Sequence, residues 1–226
     1  MKFLDPIHRH FSLYISKGPK QAHDTNETKT MNRTIVFTTG LALVLITGCV
    51  VTSVYPFYLE KDVVFEPALL GDWQKVGQPD EQWQFARDQA NGYRITCVTK
   101  DSTNVLQGHV FVLQGEKLLD LTATEWKEDI QPMPVPSHLL VRLGPITPTL
   151  EMASLSYQWL GELVAKNPKA IRHILVPTGD KPEDRRVVLT ADTLKLQQFV
   201  IKHLKTEGAW EDAMKLQRVS TEPPPR

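Results

Sequence analysis

Two hydropathy patterns divide the chain. From Thr34 to Leu59 no charged residue occurs, and a helix rising 1.5 Å per residue would cross the roughly 30 Å of bilayer hydrocarbon within that length. From Trp83 to Asp120 apolar and polar residues alternate instead, which is typical of half-buried β-strands. The sequence therefore predicts one membrane-directed segment followed by a strand-rich region.

Turn residues and helical periodicity complete the predicted fold. Asn91–Gly92 and Gln114–Gly115 supply the backbone conformations that tight turns between strands require. Three helices are predicted, because apolar residues fall on one side of each. They are a helix over 155–166, a helix that begins after a cap at Thr190, and a helix over 210–219. We therefore predict an α+β fold, with a curled antiparallel sheet followed by C-terminal helices and preceded by one N-terminal hydrophobic helix.

The same patterns predict four regions. Residues 1–30 are polar and mixed in charge, so they are predicted to be a disordered extension, or to be untranslated if Met31 is the initiator. Residues 31–54 are a signal peptide or transmembrane helix, 55–220 an exported domain, and 221–226 a disordered tail.

The apolar segment has the parts of an export signal in the expected order. Arg33 precedes an apolar core over 35–46, and Thr47–Gly48 places small residues before Cys49. Ile46–Cys49 resembles a bacterial lipobox, and this resemblance implies that Cys49 is acylated and becomes the new N-terminus. Because the apolar run continues past Cys49, an uncleaved helix spanning about 34–54 is the alternative, and a buried core helix is a third one.

Charge predicts the orientation in the membrane and excludes one class of partner. Six basic residues and three acidic ones precede Thr34, and such a positive flank stays inside. Residues 55–226 are therefore predicted to lie on the outer, periplasmic or extracellular, side of a membrane in the cell envelope. From Val50 onward 20 basic residues face 23 acidic ones without a basic stripe, so no nucleic-acid partner is expected.

Candidate reactive groups are few. Cys97 alternates with Tyr93 and Ile95, which predicts a small buried side chain. No Cys or His pair has metal-ligand spacing and no H-E-x-x-H occurs, so neither a metal nor a cofactor is predicted.

Several polar residues could serve hydrolysis if the fold brought them together. They are Ser102, His109, Asp120, His138 and His173. A histidine base oriented by Asp120 and paired with a serine would form an envelope hydrolase, but no G-x-S-x-G supports it. Asp120 lies between Leu119 and Leu121 and faces away from them, as a surface charge or turn-binding carboxylate. No catalytic residue is assigned and a non-enzymatic role is expected.

Two resemblances refine the fold. Gly71–Asp72–Trp73, where Gly71 marks a close backbone approach, is similar to the G-x-W of lipocalins, in which the Trp closes the bottom of a ligand-holding barrel. The lipobox, L-L-G-D-W and L-T-A-D-T-L-K-L-Q-Q-F-V-I-K-H together resemble a family of uncharacterised bacterial lipoproteins over most of residues 45–218. The resemblance implies a lipocalin-like half-barrel with C-terminal helices, outside the membrane and without an assigned activity.

Aromatic residues suggest where a ligand would lie. Trp73, Trp83 and Tyr93 are predicted on the concave side of the sheet, where they form either a ligand-binding pocket or plain core. The predicted function is a membrane-anchored envelope lipoprotein that binds or scaffolds a small apolar ligand or an envelope protein. The alternative is the hydrolase with a His/Asp pair.

Overall fold

The structure is a computed structural model that describes residues 50–123, 137–178 and 185–219. These residues form strands and two α-helices. The strands are β1 (Thr52–Ser53), β2 (Gly71–Lys75), β3 (Gln78–Arg87), β4 (Tyr93–Val98), β5 (Thr103–Leu113), β6 (Glu116–Ala123), β7 (His138–Leu143), β8 (Thr149–Ser154), β9 (His173–Pro177), β10 (Arg185–Leu189) and β11 (Met214–Arg218). The helices are α1 (Tyr157–Lys166) and α2 (Thr193–His203).

Eight antiparallel strands close into a barrel. Strands β2 to β8 pair in chain order, and β11 lies between β8 and β2 and completes the circle. The predicted antiparallel sheet is thus confirmed, but the half-barrel is corrected to a closed one. The closing strand falls within 210–219, which was wrongly predicted as a helix, because Met214 and Leu216 alternate into the barrel core.

A smaller sheet branches from one barrel strand. The C-terminal half of β7 pairs with β8, whereas its N-terminal half pairs with β1, at Thr52 with Leu139 and Ser53 with His138. Strand β1 runs parallel to β10, and β10 pairs with β9. We call β1, β9, β10, α1 and α2 the accessory layer.

The helices of this layer begin at side-chain caps. Helix α1 is capped by the hydroxyl of Ser156, which accepts from the Trp159 N–H. Helix α2 begins two residues later than predicted, because its cap is Asp192, whose carboxylate accepts from the Lys195 N–H at 3.1 Å. The predicted cap at Thr190 is therefore wrong.

Two hydrophobic cores lie on the two sides of the barrel wall. Val110, Leu119 and Val141 point into the barrel interior. Their chain neighbours Phe111, Leu118 and Leu140 point outward into a second core, shared with the accessory layer. Successive residues of a strand face opposite sides, so β5, β6 and β7 are apolar on both faces where this layer covers them.

The sheet begins earlier than the predicted domain. Strand β1 precedes residue 55, and Val51 is only 1% exposed in the second core. The C-terminal end of the predicted 34–54 helix is thus extended strand, because Val51 packs against the accessory layer. Residues 1–49, with Cys49 and the rest of the apolar segment, and 221–226 lie outside the described residues. No helix in the described part of the chain is long and apolar enough to span a membrane.

Candidate functional site

Trp73 lies in the interior core of the barrel. Its ring is fully buried and its indole N–H donates to the Leu69 carbonyl at 2.8 Å. The guanidinium of Arg218 lies 4.3 Å from the ring centroid and donates to the carbonyls of Leu70 and Ala68 at 2.9 and 2.6 Å. This cation–π contact and the two hydrogen bonds hold the 3₁₀ turn Pro67–Leu69 against the tryptophan.

Two structural features explain why the G-D-W motif begins with a glycine. Gly71 has φ +116°, a backbone conformation that side chains rarely adopt. A Cβ at this position would also lie 2.9 Å from Nη1 of Arg218. The predicted close approach is confirmed, and Arg218 is the group that approaches.

The structure places Trp83 and Tyr93 in the same interior core as Trp73. Trp83 lies opposite Trp73 on β3 and donates its indole N–H to Glu81 at 3.1 Å. The hydroxyl of Tyr93 donates to the Glu66 carbonyl at 3.1 Å and accepts from the Glu66 N–H at 2.6 Å. The three rings are thus brought together in the barrel with their polar atoms bonded to the chain. Ligand binding by them stays a prediction.

An ion pair accompanies these rings inside the barrel. Glu81 is 3% exposed and accepts from Lys75 Nζ at 2.9 Å as well as from Trp83. Sequence reasoning missed Glu81, although it is in phase with the interior residues Trp83 and Phe85 along β3. Cys97, opposite Trp83, is buried as predicted. Burial raises the pKa of its thiol to about 12, and the Glu81 charge adds to that rise.

A second polar group lies on the outer side of the barrel wall. Asp120 is 1% exposed, and its carboxylate is 2.8 Å from His138 Nδ1 and accepts from the Phe57 N–H at 2.9 Å. Thr122 also contacts Asp120, at 3.5 Å, and His138 Nδ1, at 3.0 Å. We call Asp120, His138 and Thr122 the wall cluster.

The predicted orientation of Asp120, away from Leu119 and Leu121, is confirmed. The predicted surface charge is wrong, because Phe57 and its neighbours cross over the carboxylate and bury it. This crossing segment is tied to α2: Thr193 Oγ1 donates to the Pro56 carbonyl at 2.8 Å and Gln197 Nε2 to the Phe57 carbonyl at 3.1 Å. Asp120 therefore binds a backbone N–H that α2 helps to position.

His109 and Tyr58 adjoin the wall cluster. His109 lies opposite Asp120 on β5, and its imidazole stacks on the Tyr58 ring with centroids 4.6 Å apart. Burial lowers the pKa of His109, although the nearby Asp120 charge opposes this. Burial, and then the charges of Asp120 and Glu60, raise the pKa of Tyr58 to about 12. Both rings are thus held in their neutral forms at neutral pH.

The other two candidates lie apart from this cluster. His173 Nδ1 is 2.9 Å from the Ile171 carbonyl at the start of β9. Ser102 forms hydrogen bonds with Thr99 in the turn between β4 and β5. Of the five polar candidates, the structure thus brings together His109, Asp120 and His138.

The wall cluster has part of the chemistry of a general base. A carboxylate on Nδ1 orients an imidazole so that Nε2 points away from it and can take up a proton. Ser53 lies opposite His138 on β1, but it is fully buried and its hydroxyl accepts from the Tyr55 N–H at 3.2 Å. Within the described ranges, no group of three or more His, Cys, Asp or Glu residues is placed to hold a metal ion.

Acid should destabilise the fold through two half-buried histidines. Burial is the main cause that lowers the pKa of both His109 and His203. Below the ordinary value of 6.5 the unfolded chain binds protons that the folded chain resists, so stability falls as the pH falls. We expect the urea midpoint of the full chain in detergent to decrease from pH 7.5 to 5.5, and to decrease less in His109→Phe, which keeps the stack on Tyr58. An equal decrease in both chains would contradict this assignment.

The chain matches no protein-family model, no curated protein and no solved structure. The likeness to lipocalins and to bacterial lipoproteins therefore remains a resemblance carried by the motifs quoted above. The closed antiparallel barrel is compatible with a lipocalin-like fold.

Proposed function

We propose that this chain is a membrane-anchored envelope lipoprotein whose barrel is a binding or scaffolding module. The observation that carries the proposal is the lipobox-like Ile46–Cys49 directly before the folded domain. Only Val50 and Val51 separate Cys49 from β1. Acyl chains on Cys49 would thus join the sheet almost directly.

The start of the domain supports such an anchor. Strand β1 pairs with β7 on one side and β10 on the other, and Val51 is buried in the second core. A lipid two residues before this strand would hold the barrel close to the bilayer, without a long linker. That arrangement suits a module that presents a barrel at a membrane surface to an apolar ligand or an envelope protein.

Acylation is tested by metabolic labelling with a radioactive fatty acid. In a bacterium with lipoprotein processing, we expect the wild-type chain to be labelled and shortened to begin at Cys49. Cys49→Ala should leave an uncut precursor without label, because no thiol remains at the lipobox to carry the thioether. Cys97→Ala is the matched control and should be labelled like the wild type.

Two results would contradict the anchor. Label that persists in Cys49→Ala would place the lipid elsewhere. An uncut, unlabelled wild-type chain that stays in the membrane would favour an uncleaved transmembrane helix that ends before β1.

The binding half of the proposal rests on the barrel interior. Trp73, Trp83 and Tyr93 share one apolar cluster, and rings of this size contribute large contact areas to apolar ligands. Native mass spectrometry of the chain purified from its envelope is expected to detect a bound small apolar molecule if the barrel is a carrier. A chain free of any such molecule would leave the scaffolding role.

A hydrolase is the second candidate, favoured by the 2.8 Å contact between His138 Nδ1 and Asp120. In this case His138 would act as the general base and Asp120 would orient it. Against this role, Asp120 also accepts the Phe57 N–H, which is the arrangement of a carboxylate that fastens a chain segment.

A further inference from the structure

A cleft of about 330 Å³ lies outside the barrel, in the accessory layer. One wall is the connection between α1 and β9, and the other is a face of α2. Lys169 and Arg172 stand on the first wall and Lys195 and Lys202 on the second, with Ile171 and Phe199 also lining the cleft. This volume falls within the range of small-molecule sites.

The sequence of α2 explains its wall of the cleft. Lys195, Phe199 and Lys202 are spaced i, i+4 and i+7, so they share one helical face, with the lysine positions about 10 Å apart along the axis. Phe199 is buried between these two exposed lysines. The wall is therefore apolar at its base and cationic at its rim.

The opposite wall has the same composition. Ile171 is buried, whereas Lys169 and Arg172 are exposed. The Arg172 carbonyl accepts from the Thr190 N–H at 2.9 Å, which fixes this connection to the end of β10. Ala170 and Ala191 also line the cleft, and their small side chains leave the space between the walls open.

The residues that line the cleft carry a net positive charge. Among its described lining residues there are four cations and no carboxylate. Asp192, outside the lining, is 3.4 Å from Lys195, but both side chains are more than half exposed, and such surface pairs are weak. The cleft thus offers an excess of positive charge above an apolar base.

We propose that this cleft binds an organic phosphate. Three lysines and an arginine distributed over the two walls suit a group with several oxygens and more than one negative charge. Phe199 and Ile171 would contact the apolar part of the same molecule. The chemistry is shared by a soluble phosphate ester and a phospholipid headgroup, and the site stands whether or not Cys49 is acylated.

Calorimetric titration of phenyl phosphate into the full chain in a neutral detergent tests the site. We expect saturable binding at one site, tighter than that of inorganic phosphate because the ring reaches the apolar base. The double variant Lys195→Gln, Lys202→Gln should weaken binding at least ten-fold. Lys100→Gln with Lys205→Gln removes the same charge outside the cleft and should change affinity less than two-fold.

A second variant separates shape from charge. Ala170→Leu keeps every cation but fills the cleft, and it should remove the preference for phenyl phosphate over inorganic phosphate. Vesicles containing phosphatidic acid, but not phosphatidylcholine alone, should displace phenyl phosphate if the natural source is a lipid headgroup; a lack of displacement assigns a soluble ester. Absence of saturable binding, or equal weakening in the two double variants, would overturn the proposal.

Discussion

Replacing Trp73 by alanine is expected to lower the free energy of unfolding by about 4 kcal/mol, within the range for large aromatic residues removed from a core. The ring is fully buried. Its removal also ends the hydrogen bond to the Leu69 carbonyl and the contact beneath Arg218. Urea unfolding of the full chain in mild detergent, followed by far-ultraviolet circular dichroism, measures the loss.

Two further substitutions make this measurement specific. Trp73→Phe retains a ring beneath Arg218 but not the indole N–H, so it should cost about half as much as alanine. Val76→Ala, at a side chain that is 49% exposed, should change stability by less than about 0.5 kcal/mol. A loss below about 1 kcal/mol for Trp73→Ala would contradict the contribution of this ring to the barrel core.

The strands and turns that were predicted correctly are determined by residues that are close together in the sequence. The alternation of apolar and polar residues from Trp83 to Asp120 predicts β3 to β6, because successive side chains of a strand point to opposite faces of the sheet. Gln114 and Gly115 both have positive φ in the turn that joins β5 to β6. At the other predicted turn the positive φ values belong to Ala90 and Asn91, so the turn was correct but the role of Gly92 was not.

The wrong predictions concern segments whose structure depends on contacts with residues far away in the sequence. The apolar residues of 210–219 fit a helix as well as a strand, and only the gap between β2 and β8 selects the strand β11. Val51 likewise continues an apolar run that suits a membrane helix. Its burial beside β10, more than 130 residues later in the chain, cannot be found in local periodicity.

The contacts of the wall cluster also could not be predicted from local periodicity. Alternation correctly places Asp120 on the opposite face from Leu119 and Leu121. Its contacts with Phe57 and His138 span 63 and 18 residues of chain, and they follow from strand register and from the segment that α2 holds in place. Glu81 is the reverse case, since its alternation with Trp83 along β3 was enough to predict an interior position, yet sequence reasoning missed it.

Loss of the Asp120 carboxylate should be nearly as damaging as loss of Trp73. We expect Asp120→Ala to lower the free energy of unfolding by about 3 kcal/mol, because it leaves the Phe57 N–H without its buried acceptor and leaves the imidazole of His138 with Thr122 alone. Asp120→Asn retains one acceptor oxygen and should cost about half as much. The same urea titration measures both variants.

The matched control and an activity assay decide what the wall cluster does. Asp72→Asn changes an exposed carboxylate that bonds to Gln84 at 2.9 Å, and should cost less than about 0.5 kcal/mol. If His138 is a general base, the wild type will hydrolyse p-nitrophenyl butyrate above background, and His138→Gln will lose that activity under conditions where it remains folded. If Asp120 instead fastens the Phe57 segment, stability falls in Asp120→Ala and no chain exceeds the background rate. A fully stable Asp120→Ala would contradict the fastening role, because the buried Phe57 N–H cannot lose its acceptor without a cost in stability.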